Sequence, residues 1–146
     1  MARNVVVSSG PSKYAQAVSV GSHLFHADEP VEVGGGDIGP NPHELLMASL
    51  TACTNITAQM YAERHQWPLT AVQSVASYGR VTTESLSGSG ATTEMVDRIE
   101  LEISFSGGLS QEQEQRLLEL VSRCPIHRTL TSSIQVSTRL RVKAQP

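Results

Sequence analysis

A chain of 146 residues with 39% hydrophobic and 17% charged residues has the size and balance of one globular domain, not of a disordered segment. No apolar run approaches the roughly eighteen residues a membrane span needs, and the first ten residues are too short and polar for a secretory core, so a soluble cytoplasmic protein is expected. A net charge of -3, with eleven scattered Lys and Arg residues, lacks the basic footprint that phosphate backbones require, so neither nucleic acid nor a membrane is expected as a partner.

In chain order, Val5 to Ser8, Tyr14 to Val20 and Ser22 to His26 read as three short strands of a meander, punctuated by Gly10, Pro11 and Gly21. The stretch from Gly34 to Pro40 breaks all periodicity and reads as a flexible hinge. It has neither the Lys-Ser/Thr nor the GxGxxG pattern of a phosphate-binding loop. A helix then starts at Pro42, with Asn41 as cap and Glu44 placed to reach back in a capping box. It is predicted to end near His65, before Trp67-Pro68, because the residue preceding a proline is driven out of helical geometry. From Leu45 to Met60 this helix is nearly all apolar or small. Such a helix belongs at a centre, and in a chain this small that centre calls for a second subunit, so a homodimer is predicted.

A strand from Ala71 to Val81 and a polar hairpin loop from Thr82 to Glu94 follow. Ile99, Leu101, Ile103 and Phe105 alternate with polar residues at the period of a half-buried strand. Ser110 and Gln113 form a second capping box, opening a helix whose Leu117, Leu118, Leu120 and Val121 run towards Cys124 and which Pro125 limits. Ile134, Val136, Leu140 and Val142 alternate with polar residues as a last strand. The order gives an α+β fold in one domain spanning residues 1–146.

The two cysteines are the candidate chemistry. Two in an intracellular chain read as thiols or a transient redox pair, not a structural staple, and Cys124-x-x-His127 is only half of a zinc site, so no metal is expected. Cys53 lies mid-helix, with Leu46, Ser49, Leu50, Ile56, Thr57 and Met60 three, four or seven residues away and therefore on its face. By itself, a helical cysteine in such surroundings reads as a small buried hydrophobe.

The wording around both cysteines adds to this. Gly39-Pro40-Asn41-Pro42-His43-Glu44-Leu45-Leu46, Ala52-Cys53-Thr54, Met60-Tyr61-Ala62, Trp67-Pro68-Leu69 and Cys124-Pro125-Ile126-His127-Arg128-Thr129-Leu130 closely resemble the OsmC/Ohr family of osmotically inducible and organic hydroperoxide resistance proteins. The resemblance implies an OsmC-like fold, an intertwined homodimer with central cysteine-bearing helices flanked by β-sheets, and a thiol peroxidase. It casts Cys53 as peroxidatic and Cys124 as resolving cysteine, with an external dithiol such as a lipoylated protein as reductant and no bound cofactor. The apolar neighbours Leu46, Leu50, Ile56 and Met60 suit an organic hydroperoxide.

The chain departs from the family pattern at two points, the glutamate and the arginine: only Arg3 precedes the helix, and no arginine occupies the loop from which the family usually presents one. An unperturbed thiol is only about a tenth ionised near neutrality, so the chemistry needs a nearby cation. Better-known members use an arginine held by a glutamate ten residues before the cysteine; that position is His43 here, with Glu44 next to it. Glu44 is the candidate replacement for the glutamate and Arg128 for the arginine, with Arg64 and Arg80 behind it. Two rival readings stand beside the peroxidase: a non-enzymatic redox-sensing or hydrophobic-ligand-binding module of the same fold, and a cysteine hydrolase with His43 or His127 as base.

Overall fold

The computed structural model describes residues 3–87 and 90–141. They fall into two compact units, one of residues up to Ala52 with Gln73–Ser104, the other of Cys53–Val72 with residues from Phe105 onward. The elements are β1 (Val5–Ser9), β2 (Gln16–Val20), β3 (His23–Ala27), a 3-10 turn (Val31–Val33), α1 (Pro42–Arg64), β4 (Leu69–Ser87), β5 (Gly90–Gly107), α2 (Gln111–Val121) and α3 (Pro125–Thr131). The unit boundary falls inside α1, β4 and β5.

In the first unit β1, β2 and β3 form the expected antiparallel meander, with Val18 opposite both Val7 and Phe25. Gly21, at φ 62°, supplies the left-handed residue that the two-residue turn into β3 requires. Val18, Ala15 and Ala27 are buried. β4 pairs with β5, and the contacts Tyr78 to Asp97, Thr82 to Met95 and Thr83 to Glu94 run in opposite chain directions, as an antiparallel hairpin requires. The polar segment expected to be a loop from Thr82 to Glu94 is therefore mostly ladder. Its threonines are good strand formers, and polar side chains on an open face do not oppose pairing.

The glycine-rich stretch after β3 is tied down instead of acting as a hinge. Asp28 is buried, and its carboxylate accepts the amides of Glu29 at 2.8 Å, Gly36 at 2.9 Å and Ile38 at 3.4 Å. Gly35 and Gly39 pass so close to the carbonyls of Glu29 and His26 that any side chain would collide with them. α1 then starts as read: Glu44 accepts the Asn41 amide at 2.7 Å and donates its own amide to Asn41 Oδ1 at 2.9 Å. It ends at Arg64 with Gln66 at φ 54° and the Trp67 amide bonded to the Ala62 carbonyl at 2.9 Å, a left-handed close in which glutamine occupies the usual glycine position.

In the second unit the buried residues are Thr54, Ala58 and Ala62, four residues apart along α1, with Leu117 and Val121 of α2 and Cys124. Tyr61 stacks on His65 at 4.0 Å, meets Trp67 edge-on at 5.3 Å, and accepts a hydrogen bond from Arg116 Nε at 3.4 Å. The Ser110–Gln113 capping box forms as expected. One expectation is incomplete here and another fails. Pro125 does not merely stop α2: it is the first residue of α3, where its missing amide costs nothing. The strand expected from Ile134 makes no ladder through Arg141, with Val142 outside the described residues. Alternation supplies a strand's period, but a strand also needs an edge to pair with, and Ile134, Val136 and Leu140 stay 55%, 85% and 91% exposed.

The Asp28 loop lock sets a pH dependence. Burial raises the Asp28 carboxyl, but the amides of Glu29, Gly36 and Ile38 together outweigh it and hold the group below the usual carboxylate range. A depressed folded value contributes stability above the unfolded value near 4, lost as pH falls through the folded one. Asp28→Asn should therefore lower Tm at neutral pH, and the gap to wild type should narrow in thermal melts as pH drops below about 4.

Candidate active site

The structure brings Cys124 against the α1 residue next to Cys53. Cys124 is fully buried; its Sγ lies 3.7 Å from the Oγ1 of fully buried Thr54 and accepts the His127 amide at 3.3 Å. The second bond makes Cys124 the N-cap of α3, a role in which sulfur replaces the usual oxygen. Cys53 is half-buried and unbonded to Cys124, and its carbonyl accepts the Thr57 hydroxyl at 2.7 Å. Thr54 was not legible as a site residue: a threonine in a helix ordinarily turns its hydroxyl back on the helix, and nothing in the spacing says otherwise.

The other candidates are distributed unevenly. Glu44, Leu46 and Leu50 belong to the first unit's stretch of α1, and Ile56, Met60 and Arg128 to the second unit. Leu50 is buried, while Leu46, Ile56 and Met60 are 39%, 53% and 58% exposed. The Glu44 carboxylate serves the helix cap. Arg128 sits in the last turn of α3 and lines an open cleft of about 330 Å³ with Pro125, Thr129 and Ser132. Its guanidinium makes no ion pair with any carboxylate among the described residues. Arg80 is held by Asp97 at 3.5 Å, and Arg64 is exposed at the end of α1.

His43 is engaged within the first unit. Its ring stacks on Tyr78 at 4.4 Å, and the Tyr78 hydroxyl donates to Asp97 at 2.8 Å. Among the described residues no cluster of three His, Cys, Asp or Glu side chains is arranged to hold a metal, and no helix is long and apolar enough to cross a membrane.

An α+β architecture with a cysteine on a long helix and a second cysteine capping a short one defines the class of protein. The model of the family described as OsmC-like protein matches residues 34–139, and the chain belongs to that family. Its fold is similar to the organic hydroperoxide resistance protein of Elizabethkingia anophelis, at 20% identity and TM-score 0.66 over 92% of this chain and 91% of that one. It is also similar to the organic hydroperoxide resistance protein OsmC of Legionella pneumophila, at 18% identity and TM-score 0.62 over 88% and 89%. An OsmC-like protein of unknown function from Vibrio cholerae shares the fold at 13% identity and TM-score 0.62 over 90% and 95%. No curated protein sequence matches the chain.

The His43 stack is open to measurement. The hydrogen bond to Asp97 holds the Tyr78 phenol above its ordinary value, an effect present below about pH 10 and lost as pH rises through the raised value. Asp97→Asn should move one phenolate absorbance transition to lower pH, and Tyr78→Phe should remove that transition.

Proposed function

We propose that this protein is a thiol-dependent peroxidase that reduces organic hydroperoxides through Cys53 and Cys124, working as a homodimer with an external dithiol, such as a lipoylated protein, as reductant. The observation that carries the reading is the contact of Cys124 Sγ with Thr54 at 3.7 Å, across 70 positions of sequence, which sets the second thiol beside the residue adjoining the first. Family membership and two related structures named for organic hydroperoxide resistance support it.

The Cys53 thiolate attacks the distal oxygen of the hydroperoxide, the O–O bond breaks, and the alcohol leaves with a proton. Cys53 is left as a sulfenic acid. The Cys124 sulfur then displaces that oxygen as water, forming a disulfide that the external dithiol reopens by thiol–disulfide exchange. Arg128 is the cation proposed to favour the thiolate, and its charge persists at any relevant pH. Glu44 is proposed to stand in for the family's glutamate, beside its part in the helix cap. Leu46, Leu50, Ile56 and Met60 are proposed to receive the alkyl part of the substrate.

The non-enzymatic reading draws on one observation. At the helix start, where better-known members carry a glutamate, the residue is His43, and its ring is committed to Tyr78.

The deciding experiment is turnover of cumene hydroperoxide and hydrogen peroxide with a dithiol, wild type against single cysteine variants. Wild type should favour the organic peroxide in kcat/KM by tenfold or more. Cys53→Ser should be inactive, and Cys124→Ser should consume about one equivalent before Cys53 passes to sulfinic acid. Full turnover in Cys53→Ser would sink the assignment.

The homodimer is proposed from the apolar surface left open. Val5, Val6 and Val7 are 62%, 57% and 53% exposed, Leu24 is 78%, and the alternating segment from Ile134 has no paired edge. A monomeric mass in light scattering at micromolar concentration would contradict it.

A further inference from the structure

Three threonines stand three residues apart on α1, and they spend their hydroxyls differently. Thr51 donates to the Met47 carbonyl at 3.0 Å and Thr57 to the Cys53 carbonyl at 2.7 Å, the ordinary return to the helix's own backbone. Thr54, fully buried, turns its hydroxyl to Cys124 Sγ at 3.7 Å instead. That sulfur has two polar neighbours of different character. The His127 amide only donates. The hydroxyl accepts the S–H of a thiol or donates to a thiolate, so it serves Cys124 in either protonation state. A disulfide sulfur has no proton to give and is a poor acceptor, so neither interaction survives oxidation at full strength.

Geometry adds a second constraint. Successive side chains on a helix project about 100° apart, so Cys124 lies against the face adjoining that of Cys53. A bond to Cys53 on that adjoining face takes the sulfur from Thr54, and as a disulfide sulfur it is a poorer acceptor for the His127 amide. His127 is the third residue of α3, and its amide is what Cys124 caps.

We propose that Thr54 is a positioning residue for the resolving cysteine, holding Cys124 parked beside Cys53 in the dithiol state, and that closure of the Cys53–Cys124 disulfide uncaps α3. The proposal rests on the peroxidase reading for its physiological oxidant, an organic hydroperoxide. In the closing step the S–S bond forms as the S–O bond of the Cys53 sulfenic acid breaks, and the thiol proton of Cys124 leaves with that oxygen as water. Thr54 is then free to return its hydroxyl to the backbone, as Thr51 and Thr57 do. Two consequences follow. The hydroxyl stabilises the dithiol over the disulfide, which makes the disulfide easier for the external dithiol to reopen. The loosened helix also carries Arg128, so the cation is least constrained once the peroxide has been consumed.

The test uses the full-length protein in dithiothreitol redox buffers, with the disulfide counted by mass after alkylation. Thr54→Val keeps the volume and removes the hydroxyl; it should shift the equilibrium about fivefold towards the disulfide, the effect of one buried hydrogen bond, or about 20 mV. Thr54→Ser should return it to within about twofold of wild type. Amide exchange read by NMR supplies an arm that needs no variant: the His127 amide should be protected in the dithiol form and exchange at least tenfold faster in the disulfide form. In Cys124→Ser, whose hydroxyl keeps the cap, it should stay protected after oxidant. An unchanged or opposite shift in Thr54→Val, or equal His127 protection in both redox forms, overturns the proposal. Diamide closes dithiols without a peroxide, so a protein that forms the disulfide with diamide but does not turn over peroxide rejects only the enzymatic reading. A protein whose two thiols stay free in diamide overturns this one.

Discussion

One sulfur atom organises the second unit. Cys124 ends the turn after α2, caps α3 by accepting the His127 amide, and meets Thr54 of α1, so three helical segments converge on it. Its complete burial suits a thiol, which packs as a small hydrophobe while still offering a weak donor and acceptor to those two partners. The residues around it are small: Ala58 and Ala62 share the buried line with Thr54, leaving room for Leu117 and Val121 in the same core. A thiol that both packs as a core residue and caps a helix is tied to the local fold. On the proposed chemistry, each catalytic cycle therefore passes through a change in that helix's start.

The first unit solves a different problem, the entry into a long helix from a glycine-rich segment. Glycine is costly to order because its backbone has most freedom to lose, and here the buried carboxylate of Asp28 gathers three amides while Gly35 and Gly39 admit carbonyls that any other residue would block. The Asn41–Glu44 box completes the entry. Glu44 thus has structural employment whatever its part in catalysis, and the aromatic stack on His43 gives the preceding position a role of its own.

Much apolar surface remains outside either core. β1 carries three consecutive exposed valines, and the segment after α3 alternates apolar and polar residues without pairing. Both are what a sheet shows when neighbouring strands come from elsewhere, and unpaired edges of this kind are covered in stable proteins because they otherwise template association. This open surface is the physical basis for the dimer proposed above.

Local chemistry was legible in the amino-acid order alone. Asn41 with Glu44 and Ser110 with Gln113 announce two helix starts, Gly21 a tight turn, and the alternation from Ile99 to Phe105 a half-buried strand, since each depends on neighbours a few residues away. The motifs around Cys53 and Cys124 pointed to the family by the same local wording. What tertiary structure decided involves partners distant in sequence. Thr82 joins a ladder because Met95 lies opposite it, and the glycine segment is held because Asp28 is buried beneath it. Thr54 is the sharpest case: its spacing matches that of Thr51 and Thr57, and only the arrival of Cys124 from 70 residues away turns its hydroxyl outward from the helix.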